Sequence, residues 1–371
     1  MTTIEAPEGE DALTEFILFR DRVYEGRGAR WPSLTPIELP TLTGESPFAQ
    51  GRTFRPLVAR EGGEIVARAA ALVDQRYLDR WDDAVGHLIM FEALPGARDA
   101  TKQLTDAASD WLREQGMRAA RAGFGGGSDL PFVIDDYDTL PPMLVRHNPA
   151  YYHSLLKDAG FESEQGWVDY RIEVRPELVA RWTSALESAR RAGFEIVPLR
   201  DVPEDRRAPV FTQVWNEAFY AHWGVSAFSE DEVALIQSFL GPMGMFDLSV
   251  LAFRGDEPVG VLWVTPESTA LATLAPGREL RPEERVNFLG IGVVEQARGR
   301  GVNLAMASYA YLELVQNGAT HLSYTLVLDD NWHRAEPPRS SAPTSARTTW
   351  STAATSPTAD PQPRPDAASG P

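Results

Sequence analysis

The run Gly290-Ile291-Gly292-Val293-Val294-Glu295-Gln296-Ala297-Arg298-Gly299-Arg300-Gly301-Val302-Asn303-Leu304-Ala305-Met306 has residue types and spacing suited to chemistry. An apolar, strand-like stretch runs into Gly and Arg, which open a stretch with helical spacing. Glycine lets backbone N–H groups approach an anion closely. A helix N-terminus adds partial positive charge, and Arg298 and Arg300 add full charges to an otherwise acidic chain. Such a construction suits a pyrophosphate. On composition alone it suits a flexible Arg/Gly turn equally well.

Competing chemistries fit poorly. No Gly-x-x-x-x-Gly-Lys-Ser/Thr occurs, and Gly290-x-Gly292 lacks the third glycine at dinucleotide spacing. There is no Gly-x-Ser-x-Gly elbow for a serine hydrolase. The six histidines are scattered, without the paired helical spacing that would hold a metal. The chain has no cysteine, which excludes disulfides, thiolate metal sites and a cysteine nucleophile.

The elements that position this loop recur. Leu57-Val58-Ala59-Arg60 and Ile65-Val66-Ala67 flank the turn Glu61-Gly62-Gly63-Glu64, and the stretches 248–253 and 259–264 flank Arg254-Gly255-Asp256-Glu257. Each pair reads as a β-hairpin. A further strand follows each (86–94 and 286–294), then a helix stopped by glycine (100–115 before Gly116, 302–317 before Gly318), then another strand (118–124 and 320–328). The hairpin glycines Gly62 and Gly255 are 193 residues apart and the helix-end glycines 202. That near-constant offset predicts a duplicated α/β unit rather than one large sheet. An Ala/Arg/Glu-rich helical segment around 175–193 bridges the halves.

At 371 residues the chain is long enough for two domains. Its net charge of −18 disfavours nucleic acid and anionic membrane surfaces and favours a cationic or amine substrate. The acidic N-terminus lacks a targeting pattern and no apolar run is long enough to cross a bilayer, so the expected location is the cytoplasm.

The loop resembles that of the GNAT acyltransferase superfamily, whose motif is Arg/Gln-x-x-Gly-x-Gly/Ala at a strand-to-helix junction. Gln296-x-x-Gly299-x-Gly301 matches every letter. Arg298-x-x-Gly301-x-Asn303 better matches the distance from the strand to the apolar helix face at Leu304 and is preferred, although Asn303 departs from the motif. Trp215-Asn216-Glu217-Ala218-Phe219 with His222-Trp223-Gly224, and His147-Asn148-Pro149-Ala150-Tyr151-Tyr152 with Gly160-Phe161, resemble an uncharacterised tandem branch of the superfamily. The likeness covers about residues 15–332.

The resemblance implies an α/β protein of two tandem units, each a mixed, mostly antiparallel sheet flanked by helices. The expected boundaries are 1–174 for a degenerate first unit, 175–332 for an acyl-CoA-binding second unit truncated at its C-terminus, and 333–371 for a disordered tail. It implies acetyl-CoA or another acyl-CoA as co-substrate, a small-molecule or peptide amine as acceptor, and no metal. The coenzyme would meet Val293, Arg298, Gly299, Arg300, Gly301, Val302 and Asn303, with Asn331 after the next strand. The backbone N–H near Val293 would polarise the thioester carbonyl. Candidates for proton transfer are Glu295, Glu217 and His222, each with an ordinary structural alternative: a solvated carboxylate or a satisfied histidine. Tyr220 shares the segment of Glu217 and His222. Asp329 and Asp330 either shape an acceptor pocket or end a strand.

The first half keeps the later helix of the family pattern through Asn148, Tyr151 and Tyr152, but Leu94-Pro95-Gly96-Ala97-Arg98-Asp99 is no phosphate cradle. Tyr151 and Tyr152 are expected as packing residues. The tail is mostly Pro, Ser, Thr, Ala and Arg, with Trp350 its one large apolar residue, a composition that cannot bury enough surface to order itself. The change is abrupt where a helix and strands are due, and a shifted reading frame permits an amphipathic helix and a strand there; the tail is read as a frameshift product. The alternative function is a non-catalytic binding or scaffold protein, inactivated by loss of the last helix and strands. An open strand edge in the shortened half would favour association between chains.

Overall fold

In a computed structural model the described residues are 1–127, 129–328 and 345–355. The first half comprises β1 (Thr2–Glu5), α1 (Glu10–Val23), α2 (Thr35–Thr43), β2 (Arg52–Glu61), β3 (Glu64–Asp74), β4 (Val85–Ala93), α3 (Arg98–Glu114), β5 (Ala119–Ala122), α4 (Tyr152–Asp158) and β6 (Glu162–Glu173). After the bridging helix α5 (Val179–Arg191) come β7 (Phe194–Pro198), α6 (Glu204–Ala218), α7 (Glu230–Leu240), β8 (Val250–Arg254), β9 (Glu257–Val264), β10 (Asn287–Val293), α8 (Val302–Gln316) and β11 (His321–Leu328). A last strand, β12, spans Ser345–Thr355.

Local chemistry explains the repeated elements. Gly62, Gly63 and Gly255 have φ of 59°, 90° and 61°, which the tight hairpins require. Gly116 and Gly318 follow α3 and α8 at φ 84° and 72°, the left-handed stop that glycine adopts without steric cost.

The strands lie in the order β1-β2-β3-β4-β5-β12-β6-β11-β10-β9-β8-β7, one continuous sheet. The duplicated units are therefore joined edge to edge, which corrects the expectation that duplication would exclude a large sheet. The join is an exchange. The first half's last strand, β6, runs antiparallel to β11 of the second half, with Leu322 opposite Ile172. β12 in turn lies between β5 and β6, with Ala353 opposite both Arg121 and Glu162. The edge of β11 is covered by β6, and within the tail Ser345–Thr355 run as β12. The rest of the tail, and so its proposed frameshifted helix, lies outside the described residues.

In both halves the parallel pair at the centre separates. β4 and β5 pair from Val85–Ala119 to Leu88–Ala122 and then part. β10 and β11 pair only at Asn287–Ser323 and Phe288–Tyr324. Each opening follows a register irregularity, near Met90 in β4 and near Leu289 in β10.

Buried charges clamp the halves together. Glu232, fully buried at the start of α7, meets Arg52 and lies 2.5 Å from Arg76 of the first half. Arg52 also holds Asp74 at 3.0 Å. The Ser226 hydroxyl donates to Asp74 across the same interface at 3.0 Å.

Candidate functional site

The opening between β10 and β11 exposes one edge of β10. In a strand, successive N–H groups point to opposite sides. The Val294 N–H donates back to Val259 of β9 at 3.0 Å. The N–H and C=O of Val293 therefore face the opening, where pairing with β11 has already ended. The carbonyl accepts from Arg298 Nε at 2.9 Å, and Arg298 Nη2 donates to the Ala218 carbonyl at 3.1 Å. Arg298 thus fastens the loop to β10 and to the end of α6.

Eight residues, Val294 to Gly301, separate β10 from α8. Gly299 and Gly301 have φ of 73° and 79°, and Gly301 caps the helix. Among the described residues, the N–H groups of Gly299, Arg300 and Gly301 donate to no backbone carbonyl. With the free N–H groups of the first helical turn they form a row of unused donors beside the exposed Arg300. Arg298, Gly299, Arg300, Gly301 and Asn303 are exposed, whereas Val302 is buried beneath them. These residues fit the diphosphate and thioester of a coenzyme A thioester: donors in the loop and, among the described residues, an unpaired strand N–H at its base.

Gly290 and Gly292 serve packing. A Cβ at Gly290 would lie 2.7 Å from the Trp215 ring, and one at Gly292 would lie 2.7 Å from both Ala218 and Phe219. Their absence lets α6 lie against β10 and brings Glu217 to the loop, where its carboxylate accepts from Gln296 Nε2 at 3.2 Å. Glu217 and Glu295 are exposed at this rim. His222 is half-buried farther in, its ring 5.7 Å from Phe219. The structure thus gathers Glu217, Val293, Glu295 and Arg298 near one opening, with His222 below. Asn331, Asp329 and Asp330 lie outside the described residues.

The equivalent opening of the first half is filled. Leu94 donates to Val66 just as Val294 donates to Val259, which makes Ala93 the counterpart of Val293. The Ala93 N–H donates to the Tyr152 hydroxyl at 2.9 Å, and its carbonyl accepts from Tyr151 at 2.8 Å. The Tyr152 hydroxyl in turn donates to Glu92 at 2.7 Å. Burial, and then the Glu92 carboxylate, push Tyr151 up to about 12 and Tyr152 well above its ordinary value, so both stay neutral donors. The expected aromatic packing is present, with Phe91 and Tyr152 edge to face at 5.0 Å. Only four residues, Leu94 to Ala97, join β4 to α3.

Sequence reasoning missed a cavity of about 430 Å³ between the halves. It reaches Leu289 and Leu326 at the second opening, passes Trp215, Phe219, Phe228 and Trp263, and continues under α2 into the first half. Its far end carries charge. Arg146 pairs with Asp129 at 2.7 Å, Arg20 lies 3.8 Å from Glu92, and Arg68 donates to the Phe16 and Ile17 carbonyls at 2.5 and 3.1 Å. Burial raises the Glu38 carboxyl against the opposing pull of Arg68 and Arg20, and lowers the Arg68 guanidinium. The available signals were the Trp215/Phe219 spacing on one helix face and Arg68 inside an Ala-rich strand.

This architecture is the tandem GNAT fold. The chain aligns over 97% of its length, and over 99% of the other chain, with a tandem GNAT protein from the clavulanic acid biosynthesis pathway (TM-score 0.57, 10% identity). It aligns over 95% of its length with a glucosamine N-acetyltransferase region of a fungal multi-domain β-N-acetylglucosaminidase, covering 38% of that chain (TM-score 0.54, 17% identity). A GNAT N-acetyltransferase from Kribbella flavida gives a TM-score of 0.51 at 12% identity, over 95% of this chain and 71% of that one.

Among curated proteins, the chain is 23% identical over 227 residues to protein YghO of Escherichia coli strain K12, covering 60% of this chain and 57% of that protein. It is 23% identical over 190 residues to the bacterial ceramide synthase of Caulobacter vibrioides, covering 50% of this chain and 49% of that protein. It spans about half the length of these relatives. No family model matches the chain. Among the described residues, no cluster of His, Asp and Glu is arranged to hold a metal, and no helix is long and apolar enough to cross a membrane.

Proposed function

We propose that the protein is an acyl-CoA-dependent N-acyltransferase whose second half binds the coenzyme and whose first half does not. The unpaired edge of β10 at Val293 carries this reading, because its counterpart Ala93 is closed by two tyrosines. The fold is that of N-acetyltransferases, and one relative is named as a ceramide synthase; a ceramide is itself an amide, which supports transfer to nitrogen.

In this reading the row of N–H groups from Gly299 to Asn303, with Arg300, holds the diphosphate. The pantetheine lies along β10 as an added strand would. An amine nitrogen attacks the thioester carbonyl carbon. The Val293 N–H stabilises the oxyanion, worth on the order of 10²–10³-fold in rate for one such donor elsewhere. The C–N bond forms, the C–S bond breaks, the amine loses a proton to a base, and the departing thiolate takes up a proton, returned by that base or from water, to leave as the coenzyme thiol. Glu217, Glu295 and His222 are the candidate proton carriers. Glu217 and Glu295 lie on the solvent side where an ammonium would arrive, and His222 lies on the cavity side. Thiol release from acyl-CoA with a panel of amines tests the reading. Amine-dependent release, lost in Arg298→Ala/Arg300→Ala, is expected; coenzyme binding without release under any amine would favour a binding protein instead.

A further inference from the structure

An acetyl group would occupy only the mouth of the cavity beneath the loop. We propose that the cavity holds the hydrocarbon tail of a long-chain acyl donor, with its thioester at the β10/β11 opening and its tail running into the first half. This inference rests on the acyltransferase reading and names its donor class.

The mouth is placed for a donor. Leu289, at the irregularity of β10, and Leu326, on the strand that parts from it, both line the cavity. A chain leaving a carbonyl held at Val293 enters between them. The walls beyond are aromatic: Trp215 and Trp263 stand 5.3 Å apart, centroid to centroid, and Trp215 and Phe219 stand 4.4 Å apart. The roof is unfinished. α2, Thr-Pro-Ile-Glu-Leu-Pro-Thr-Leu-Thr in sequence, is largely apolar, yet its residues are only partly buried, and Ile37 lines the cavity. An apolar cavity offers water few partners, so a hydrocarbon is the occupant that suits it. At the far end the paired Arg146–Asp129 and Arg20–Glu92 groups terminate the apolar wall.

The backbone points to the same place. Five non-glycine residues among those described have positive φ, and three of them, Met90 (54°), Leu144 (65°) and Leu326 (60°), line this cavity. Large side chains held in that conformation cost free energy and gather where a structure is shaped for a ligand. The volume of about 430 Å³ accommodates a chain on the order of ten to fifteen carbons if a methylene takes about the space of a water. The acceptor's own chain is the weaker occupant, because a charged amine approaches from the acidic solvent rim of Glu217 and Glu295, outside the cavity.

The test measures affinity of the full chain for CoA, acetyl-CoA and lauroyl-CoA, below micelle-forming concentrations, by melting temperature and tryptophan fluorescence. Ile236→Trp on α7 and Ile37→Trp on α2 each place an indole in the corridor. Lauroyl-CoA is expected to bind at least ~100-fold more tightly than acetyl-CoA, since each buried methylene contributes about fourfold. Each indole variant that keeps its unliganded melting temperature is expected to lose this gain while keeping its affinity for CoA. Equal binding of all three ligands would overturn the tail site and leave the acyltransferase reading standing. Undiminished lauroyl preference in both indole variants would also overturn the site. Binding of none of the three would overturn both.

Discussion

Ala93 and Val293 hold the same place in two copies of one fold, and their surroundings differ in kind. Ala93 is closed on both its polar groups by Tyr152 and Tyr151, and a four-residue link leads directly to the next helix. Among the described residues Val293 lends only its carbonyl, to Arg298, and an eight-residue loop with two left-handed glycines follows. A strand edge left unpaired inside a protein is costly unless something satisfies it. The first copy supplies that partner from its own chain, while among the described residues the second does not. The two copies thus differ: one half is finished as a structural wall, and the other keeps the opening to which the proposed function assigns the coenzyme. The cavity between them is shared.

Breaking the join should have the largest effect. Glu232→Ala removes a buried carboxylate that faces Arg52 and Arg76. Removing one partner of a buried pair strands the other, so a loss of about 3–5 kcal/mol is expected in chemical denaturation. A small loss would show that Asp74 alone satisfies Arg52. The second expectation concerns the open half. Arg298→Ala/Arg300→Ala should weaken coenzyme binding on the order of 100-fold by calorimetry; Arg300→Ala alone should change unliganded stability little because its side chain is exposed, whereas Arg298→Ala also removes the hydrogen bonds to the Val293 and Ala218 carbonyls. The closed half should respond the opposite way. Tyr152→Phe leaves the Ala93 N–H and Glu92 short of a partner, which should cost about 1–3 kcal/mol in stability while coenzyme affinity stays unchanged.

The smallest effect is pH-dependent. Glu38 titrates above its ordinary value because burial outweighs the neighbouring arginines. Its ionisation is therefore harder in the folded chain than in the unfolded one, and it subtracts stability as pH rises through its folded value. Glu38→Gln should raise the melting temperature modestly at neutral pH. The gain should vanish at pH below the ordinary carboxylate range, where Glu38 is protonated in both states. A gain that persists at low pH would assign the effect to packing instead.

Much of this division is legible in the amino-acid sequence. The hairpin turns at Gly62–Gly63 and Gly255 and the helix stops at Gly116 and Gly318 are local signals, because only particular residues tolerate those backbone angles. The Gly/Arg loop is legible for the same reason, as is the lack of a cradle at Leu94–Ala97. The exchange of β6 and β12 is not, since pairing partners more than a hundred residues apart leave no local trace. The same holds for the closing of Ala93: the sequence marks Tyr151 and Tyr152 as buried aromatics, but only the fold brings their hydroxyls to a strand edge fifty-nine and fifty-eight residues away. The cavity belongs to neither half alone, so neither half's periodicity announces it.

Coenzyme stoichiometry tests this division most directly. Calorimetric titration of the full chain with CoA should give one site per chain, present in Tyr152→Phe and lost in Arg298→Ala/Arg300→Ala. Two sites per chain, or one site that survives the double arginine change, would contradict the assignment of the coenzyme to the second half.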